Sequence, residues 1–517
     1  MKTIRILWAD DEIDLLKPHL LFLEGKGYSV TAVTNGDDAI EQVNRKNFDI
    51  IFLDENMPGL SGLETLASIK NVAPGIPVVM ITKSEEEDIM EEAIGAKIAD
   101  YLIKPVNPNQ ILLSIKKNIE KTELVTRKTT SAYQSEFARL GMQINDSFTH
   151  EDWVEVYKKL VFWELELEQS DDHTMDEVLL MQKNEANQAF ARFVKKNYFD
   201  WLGEPAGERP LMSPDLFRHR VFPLLDQGER VFVLLIDNLR YDQWRVLQQI
   251  MREYYTTDEE ELYFSILPTA TMYARNAIFS GLMPSEIAKM YPNLWLNEEE
   301  EGIKNQHEEE LFGRQMARYG RKEKFSFEKM TNLKSGRRVL DNLSNIIDNP
   351  LSVMVINFVD IMSHARTEMD MIRELANDEA AYRSLTESWF RHSPLLDLIK
   401  ELSTKDIKLV VTTDHGTIRV HNPLKVIGER STNTNLRYKQ GRNLKYNRKE
   451  VFEMINPATG YLPSSNVSST FIFASGTDFF AYPNNFNYYV SYYRDTFQHG
   501  GISLEEMLVP FITLSPR

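Results

Sequence analysis

"KLVVTTDHGT", residues 408–417, is a run of apolar and β-branched residues that stops at two threonines and then sets Asp414 beside His415 before Gly416. The run reads as a buried strand of an α/β sheet. Asp and Gly are ordinary turn residues, so a turn accounts for the sequence. Strand ends in open α/β sheets are also where ligands bind, and a carboxylate next to an imidazole offers two metal donors. The dipeptide alone does not choose between these readings.

The rest of the C-terminal half supplies possible partners. "ERVFVLLIDNLRYDQW" reads as a strand over 230–236 ending at Asp237. "YFSILPTATMYARNAIFSG" reads as a strand that breaks at Pro268 and becomes a helix, with Thr271 at its start. Free N–H groups at that end favour an anion. "PLSVMVINFVDIMSHAR" reads as a buried strand ending at Asp360, with His364 four residues on. An i, i+4 pair on one helical turn can bind one metal. "TFQHGGISLEEMLVPFI" places His499 before two glycines. Each feature alone is weak, since a carboxylate at a strand end is usually a cap. Together, several strand-to-loop junctions each offer a nitrogen or oxygen ligand.

This order of residues resembles the alkaline phosphatase superfamily. "PTAT", "DHG" and "HGGISLEEMLVPF" are similar to its PglZ branch. The resemblance implies one zinc held by Asp237, Asp414, His415 and the Thr271 oxygen, and a second held by Asp360, His364 and His499. It further implies Thr271 as a nucleophile activated by metal, attack in line on phosphorus, and hydrolysis of the resulting phosphothreonine. The chain has no cysteine, so any such site must use His and carboxylates.

Residues 1–120 alternate short apolar runs with helical patterns, which reads as a doubly wound, flavodoxin-like sheet. Asp10 and Asp11 follow its first strand, Asp54 ends the third, Thr82 ends the fourth, and Tyr101 and Lys104 belong to the fifth. Carboxylates at the carboxyl edge of a parallel sheet suit Mg²⁺. "ADDE", "FLDENMPGLSG", "MITKS" and "DYLIKP" resemble the receiver domain of response regulators. That implies phosphorylation of Asp54 by a sensor histidine kinase, Mg²⁺ on Asp10, Asp11 and Asp54, and a switch through Thr82, Tyr101 and Lys104.

Residues 121–205 carry helical periodicity and read as a helical bundle linker. In "WVEVYKKLVFWELEL", Trp153, Val156, Tyr157, Leu160 and Val161 recur on one face and read as core. The third segment, 206–517, is then the PglZ, alkaline-phosphatase-like α/β domain. A receiver, a bundle and a PglZ domain in this order are similar to PorX-type response regulators of type IX secretion control. The resemblance implies a PorY-like kinase, an extracytoplasmic-function sigma factor and a homodimer formed on phosphorylation.

A net charge of −18 argues against wholesale binding to duplex DNA. No apolar stretch is long enough to span a bilayer and no signal peptide is visible, which fits a cytoplasmic protein. Within that acidic chain, residues 419–449 hold nine Lys or Arg and a single acid, Glu429. Arg437, Lys439, Arg442 and Lys445 alternate there with Tyr438 and Tyr446, a pattern expected to track and stack a short, perhaps cyclic, oligonucleotide. The expected activity is therefore a zinc-dependent phosphodiesterase controlled by a receiver. Two rivals are a non-catalytic zinc module that docks a sigma factor, and a phosphomonoesterase in which Arg275 grips a terminal phosphate.

Overall fold

Short β-branched runs form the strands of two sheets, and each run is followed by a polar residue that marks the sheet's carboxyl edge. The computed structural model describes residues 3–83, 98–147, 149–169, 173–298, 300, 302–368, 378–429, 432–464 and 468–517, with the backbone alone for 120–128 and 364–368. The chain divides into two compact units, Met1–Ser135 with Glu166–His173, and Glu136–Leu165 with Thr174–Arg517.

In the first unit, β1 (Arg5–Ala9), β2 (Ser29–Val33), β3 (Ile50–Asp54), β4 (Val78–Thr82) and β5 (Asp100–Ile103) form a parallel sheet in the order β2-β1-β3-β4-β5. Every residue of β3 and β4 is buried, as expected for strands covered on both faces. The helix Gly62–Val72 starts at Ser61, whose hydroxyl accepts from Glu64 N while Glu64 accepts from Ser61 N. This capping box is the "SGLE" of the sequence.

In the second unit a six-stranded sheet runs β7-β18-β10-β6-β9-β8. Its strands are β6 (Val231–Ile236), β7 (Tyr255–Phe264), β8 (Phe325–Met330), β9 (Leu351–Ile356), β10 (Lys408–Thr412) and β18 (Leu508–Pro516). Strands β8, β9, β6 and β10 are parallel, and β18 is antiparallel to both β10 and β7. Pairing of Ile236 with Ile356 and of Leu235 with Thr412 brings three strand ends to one level. Val233, Leu235, Val353, Val355 and Val410 pack in the core beneath.

Smaller sheets flank this edge. They comprise β11 (Ile418–Arg419) with β17 (Phe497–Gln498), β12 (Asn422–Lys425) with β16 (Asp478–Ala481), and β13 (Tyr438–Gly441), β15 (Thr470–Phe473) and β14 (Phe452–Met454) together. Three helices, Lys121–Asp146, His150–Glu168 and Asp176–Gly203, fill the stretch expected to be helical. Trp153, Val156, Tyr157, Leu160 and Val161 are all buried. Trp153 packs its ring 5.4 Å from Phe190, and Tyr157 lies 5.9 Å from Tyr241. That aromatic stripe is core. No helix among the described residues is long and apolar enough to cross a membrane.

Candidate phosphoryl-transfer sites

The ends of β1 and β3 place Asp10, Asp11 and Asp54 together, with one ligand atom from each lying within 4.8 Å of the others. Asp10 and Asp54 are buried and Asp11 is exposed. Lys104 reaches both buried carboxylates, at 2.9 Å from Asp10 and 2.8 Å from Asp54. Burial raises the Asp54 carboxyl pKa, and the hydrogen bond from Lys104 only partly opposes it. Among the described residues the Asp54 Oδ1 atom is buried without a partner. An orphan carboxylate oxygen beside two further carboxylates is an arrangement a cation fits. The Thr82 hydroxyl is buried near Tyr101 and hydrogen-bonds to it. A cleft of about 420 Å³, lined by Asp10, Glu12, Lys83 and Lys104 among others, opens beside the aspartates.

In the second unit, Asp237 follows β6 and Asp414 follows β10. Asp237, Asp414 and His415 present ligand atoms within 4.8 Å of one another, and all three are buried. Gly416 keeps the turn tight, since a Cβ there would lie 2.0 Å from the Glu505 carbonyl oxygen. His415 Nδ1 lies 3.0 Å from the Gly416 carbonyl. A carbonyl can only accept, so Nδ1 carries the proton and Nε2 presents its lone pair to the site. His499 repeats the arrangement, with Nδ1 donating to the Thr269 carbonyl at 3.2 Å. The two imidazoles stack with centroids 4.3 Å apart. Fixing one ring nitrogen on a backbone carbonyl is how proteins orient metal-ligating histidines.

The Thr271 side chain stands at the first position of the helix Thr271–Ser280. Its hydroxyl lies 3.0 Å from His415 Nε2 and 3.4 Å from Asp237 Oδ1. The neighbouring Thr269 hydroxyl donates to the Gly501 carbonyl and accepts from Gly500 N, which ties "PTAT" to "HGG". Gly500 has φ +122°, and a Cβ there would meet Tyr438 at 2.5 Å.

His499 Nε2 lies 3.8 Å from Asp360 Oδ1. The strand expected to end at Asp360 ends instead at Ile356, and Asp360 sits in the first turn of the helix Phe358–Glu368. Asn357 breaks the strand and turns its amide to Asp237 at 3.2 Å. The backbone at 364 belongs to that helix, one turn after Asp360, while the His364 side chain lies outside the described residues. Asn238 links the two groups of candidate ligands. Its backbone N–H donates to Asp414 at 3.3 Å and its side chain to Asp360 at 3.4 Å. It sits at φ +65°, a left-handed conformation that Asn tolerates better than most residues.

The fit of this site to a cation rests on charge and orphaned atoms. Among the described residues Asp414 Oδ2 is buried with no hydrogen-bond partner. Burial and the adjacent Asp237 push the Asp414 carboxyl well above the usual range, with Arg275 opposing. The His415 pKa is lowered by burial, which keeps its imidazole neutral as a ligand must be. Two carboxylates and a neutral imidazole, with further donors beside them, make an N/O donor set that a divalent cation fits.

Two expectations need correction. Arg275 is buried and spends its guanidinium on Asp237 and Glu308, each at 2.5 Å. It braces Asp237 and is not free to grip a terminal phosphate. Arg437 and Lys439 are not solvated tracks for a nucleic-acid backbone. Arg437 is fully buried and pairs in bidentate fashion with Glu506, at 3.0 and 2.6 Å. Glu506 also accepts from Gly501 N, so this pair shapes the loop that carries His499. The Lys439 amine donates to the Asn433 carbonyl and lies 4.7 Å from the Tyr482 ring centroid, and burial pulls its pKa down to about 7. Tyr438 donates to Glu298. Of the basic set, Arg442 and Lys445 are exposed.

Family models match three successive parts of the chain. Residues 216–514 match the BREX system PglZ alkaline phosphatase-like domain, 123–202 the PorX response regulator linker domain, and 6–116 the response regulator receiver domain. The transcriptional regulatory protein ZraR of Klebsiella oxytoca is 33% identical over 140 residues, 27% of this chain and 32% of that protein. The alginate biosynthesis transcriptional regulatory protein AlgB of Pseudomonas aeruginosa is 35% identical over 140 residues, 27% of this chain and 31% of its own length. The chain therefore spans about a third of the length of these curated relatives. A CheY-like receiver domain from Methanospirillum hungatei is 26% identical, covering 24% of this chain and 98% of its own at a TM-score of 0.23. A receiver implies phosphorylation by a histidine kinase, and a PglZ domain points to a hydrolase of the phosphatase superfamily; domains of both kinds generally use divalent metals. The chain belongs to the PglZ alkaline phosphatase-like family, in the PorX-type arrangement of receiver, linker and PglZ domain.

Proposed function

We propose that this response regulator is a zinc-dependent phosphodiesterase switched through Asp54. The observation that carries the reading is the Thr271 hydroxyl, held within hydrogen-bond reach of His415 Nε2 among buried, converging carboxylates. Asp237, Asp414, His415 and Thr271 would hold one zinc, and Asp360, His364 and His499 the other. When bound, the two ions supply Lewis acidity that acidifies the Thr271 hydroxyl and neutralises charge on the phosphoryl oxygens. The Thr271 oxygen attacks phosphorus in line, its proton passing to solvent, and the bond to one ester oxygen breaks; that alkoxide takes a proton from solvent and leaves as an alcohol. Water then cleaves the threonine–phosphorus bond, releasing the rest of the substrate as a phosphate monoester and restoring the Thr271 hydroxyl. The start of the helix points backbone N–H groups at the phosphoryl oxygens. His415 and His499 are held by their Nδ1 protons, so neither ring has to reorient during the reaction.

A diester substrate is favoured over a monoester because Arg275, the cation closest in sequence to Thr271, is bound to Asp237 and Glu308. A short oligonucleotide is the diester proposed. Arg442 and Lys445 remain exposed to meet its backbone. The helix Phe486–Tyr493, which precedes His499, has no buried residue and stacks Tyr488 on Tyr492 and Tyr489 on Tyr493. Such aromatic faces stack bases at about 1–3 kcal/mol each. The test is metal analysis of the full-length protein together with hydrolysis of chromogenic diesters and monoesters. Bound zinc and diester hydrolysis that a chelator abolishes are expected. A protein that carries zinc but hydrolyses neither ester would point instead to the docking module.

Mg²⁺ on Asp10, Asp11 and Asp54 and a PorY-like kinase complete the input in this proposal. Type IX secretion control and an extracytoplasmic-function sigma factor are carried by the likeness to PorX-type proteins. Phosphorylation is expected to drive a homodimer, because a phosphoryl group on Asp54 would draw in Thr82 and reset Tyr101. Light scattering should register a monomer-to-dimer shift when beryllofluoride and Mg²⁺ are added, and Asp54→Asn should abolish it. An unchanged mass across protein concentrations would refute the dimer.

A further inference from the structure

We propose a second ligand site in the C-terminal unit, one that takes a phosphate monoester of mononucleotide size. A cleft of about 430 Å³ opens where the helix Asp176–Gly203 faces the turn between β15 and β16. That volume falls in the range of small-molecule sites, roughly 300–1,000 Å³. Arg192 and Lys195 line it from the helix, and Lys449 lines it from the opposite wall. Among the described residues, none of the three closes a salt bridge or a hydrogen bond through its side chain. Three unpaired cations around one cleft are unexpected in a chain of net charge −18.

Ser475 also lines the cleft. Its hydroxyl oxygen is buried and, among the described residues, has no hydrogen-bond partner. Orphaned buried polar atoms are rare because each costs about 1–3 kcal/mol, so such an atom points to a missing ligand or water. Lys195 is half-buried, and burial lowers its pKa with Asp478 opposing. Two acids share the lining. Asp478 accepts from Asn422, and Arg437 also offsets its charge, while Glu450 is exposed at the rim. The balance favours an anion. Asn184 and Gln188 add amides that can read the hydroxyls or ring nitrogens of a nucleoside.

The position gives binding a consequence. Gly476 N donates to the Ile502 carbonyl at 2.8 Å. Asn187, on the helix wall, donates to Glu505 at 3.0 Å and accepts from Leu504 N at 2.8 Å. Both walls therefore grip the segment 502–505, which begins three residues after His499. An occupant joins the linker helix to the turn that supports a candidate metal ligand.

Calorimetric titration of the full-length protein with AMP tests the site, with inorganic phosphate, ribose 5-phosphate and adenosine as parallel probes. The comparison protein is Lys195→Ala/Lys449→Ala, which leaves the metal ligands and Thr271 intact. The double variant is expected to bind at least one equivalent less AMP than the wild type. It should also retain the wild-type rate on a chromogenic diester. The difference between the two isotherms reads the cleft whether or not the metal site also binds AMP, so failure of the phosphodiesterase reading leaves this test standing. Stronger binding of AMP than of adenosine is expected, and inorganic phosphate binding as tightly as AMP would overturn the mononucleotide assignment. Identical AMP isotherms for the two proteins would overturn the site. So would AMP binding that is insensitive to salt, since an anion held by three cations must weaken as salt rises.

Discussion

Thr271→Val should leave a folded, metal-loaded protein that no longer turns over phosphodiesters. The substitution nearly preserves volume and removes one oxygen. Thr271 is partly exposed at the start of its helix, and among the described residues its hydroxyl bonds only His415 and Asp237, as described above. The rest of the site is held independently of it. His415 is fixed by Gly416, His499 by Thr269, and Asp237 by Arg275 and Asn357. Zinc content and melting temperature should therefore stay close to wild type. Loss of a covalent nucleophile commonly costs several orders of magnitude, so a fall in kcat of roughly 10³-fold or more is expected. Thr271→Ser keeps the oxygen and should recover part of the rate. Wild-type diester hydrolysis by the valine variant would eliminate Thr271 as the nucleophile and leave a metal-bound water as the attacking group.

Much of the site was legible because its donors sit within short motifs at strand ends, where chain order and spatial order agree. Asp237, Asp414 and His415 each lie within three residues of a strand terminus, and the parallel register brings those termini level. Direction was not legible. Helical spacing places Arg275 one turn beyond Thr271, but its partners lie 38 and 33 residues away, and no local pattern names them. The segment 419–449 misled for a related reason. Alternating basic and aromatic residues describe a nucleic-acid track and equally a strand whose cations meet buried acceptors. Residues 438–441 form β13 and all are buried, while the acid that answers Arg437 lies 69 residues further on. The run into Asp360 failed at its end because the Asn357 side chain bonds Asp237.

A different substitution should destabilise what Thr271→Val leaves intact. Arg240, three residues beyond Asp237, is almost fully buried and pairs with Asp242 and Glu379. Its guanidinium also lies over the rings of Phe497 and Tyr382, 5.3 and 5.8 Å from their centroids. Asp242 continues the network to Arg383, which reaches Glu164 at 2.8 Å, and Glu164 holds Lys183 at 2.7 Å. Glu164, Asp242 and Glu379 bring carboxylate oxygens within 4.8 Å of one another, which resembles a cation site. Arg240 and Arg383 already fill that role. Burial alone would raise the Asp242 pKa, yet the two arginines outweigh it and hold the carboxyl well below its usual range. Arg240→Met keeps much of the apolar contact and removes the charge, leaving Asp242 and Glu379 short of a partner. Removing one member of a buried ion pair costs about 3–5 kcal/mol, so calorimetry should find the melting transition of the C-terminal unit lowered by several degrees. Arg442→Met is the internal control. Its contact with Glu429 is exposed and 3.7 Å long, and pairs of that kind contribute roughly 0–1 kcal/mol. Because Arg240 supports Phe497 two residues before His499, diester hydrolysis should fall together with stability. If Arg240→Met melts like Arg442→Met, the buried carboxylates must be neutralised by protons, and the linker helices are held to the sheet by packing alone.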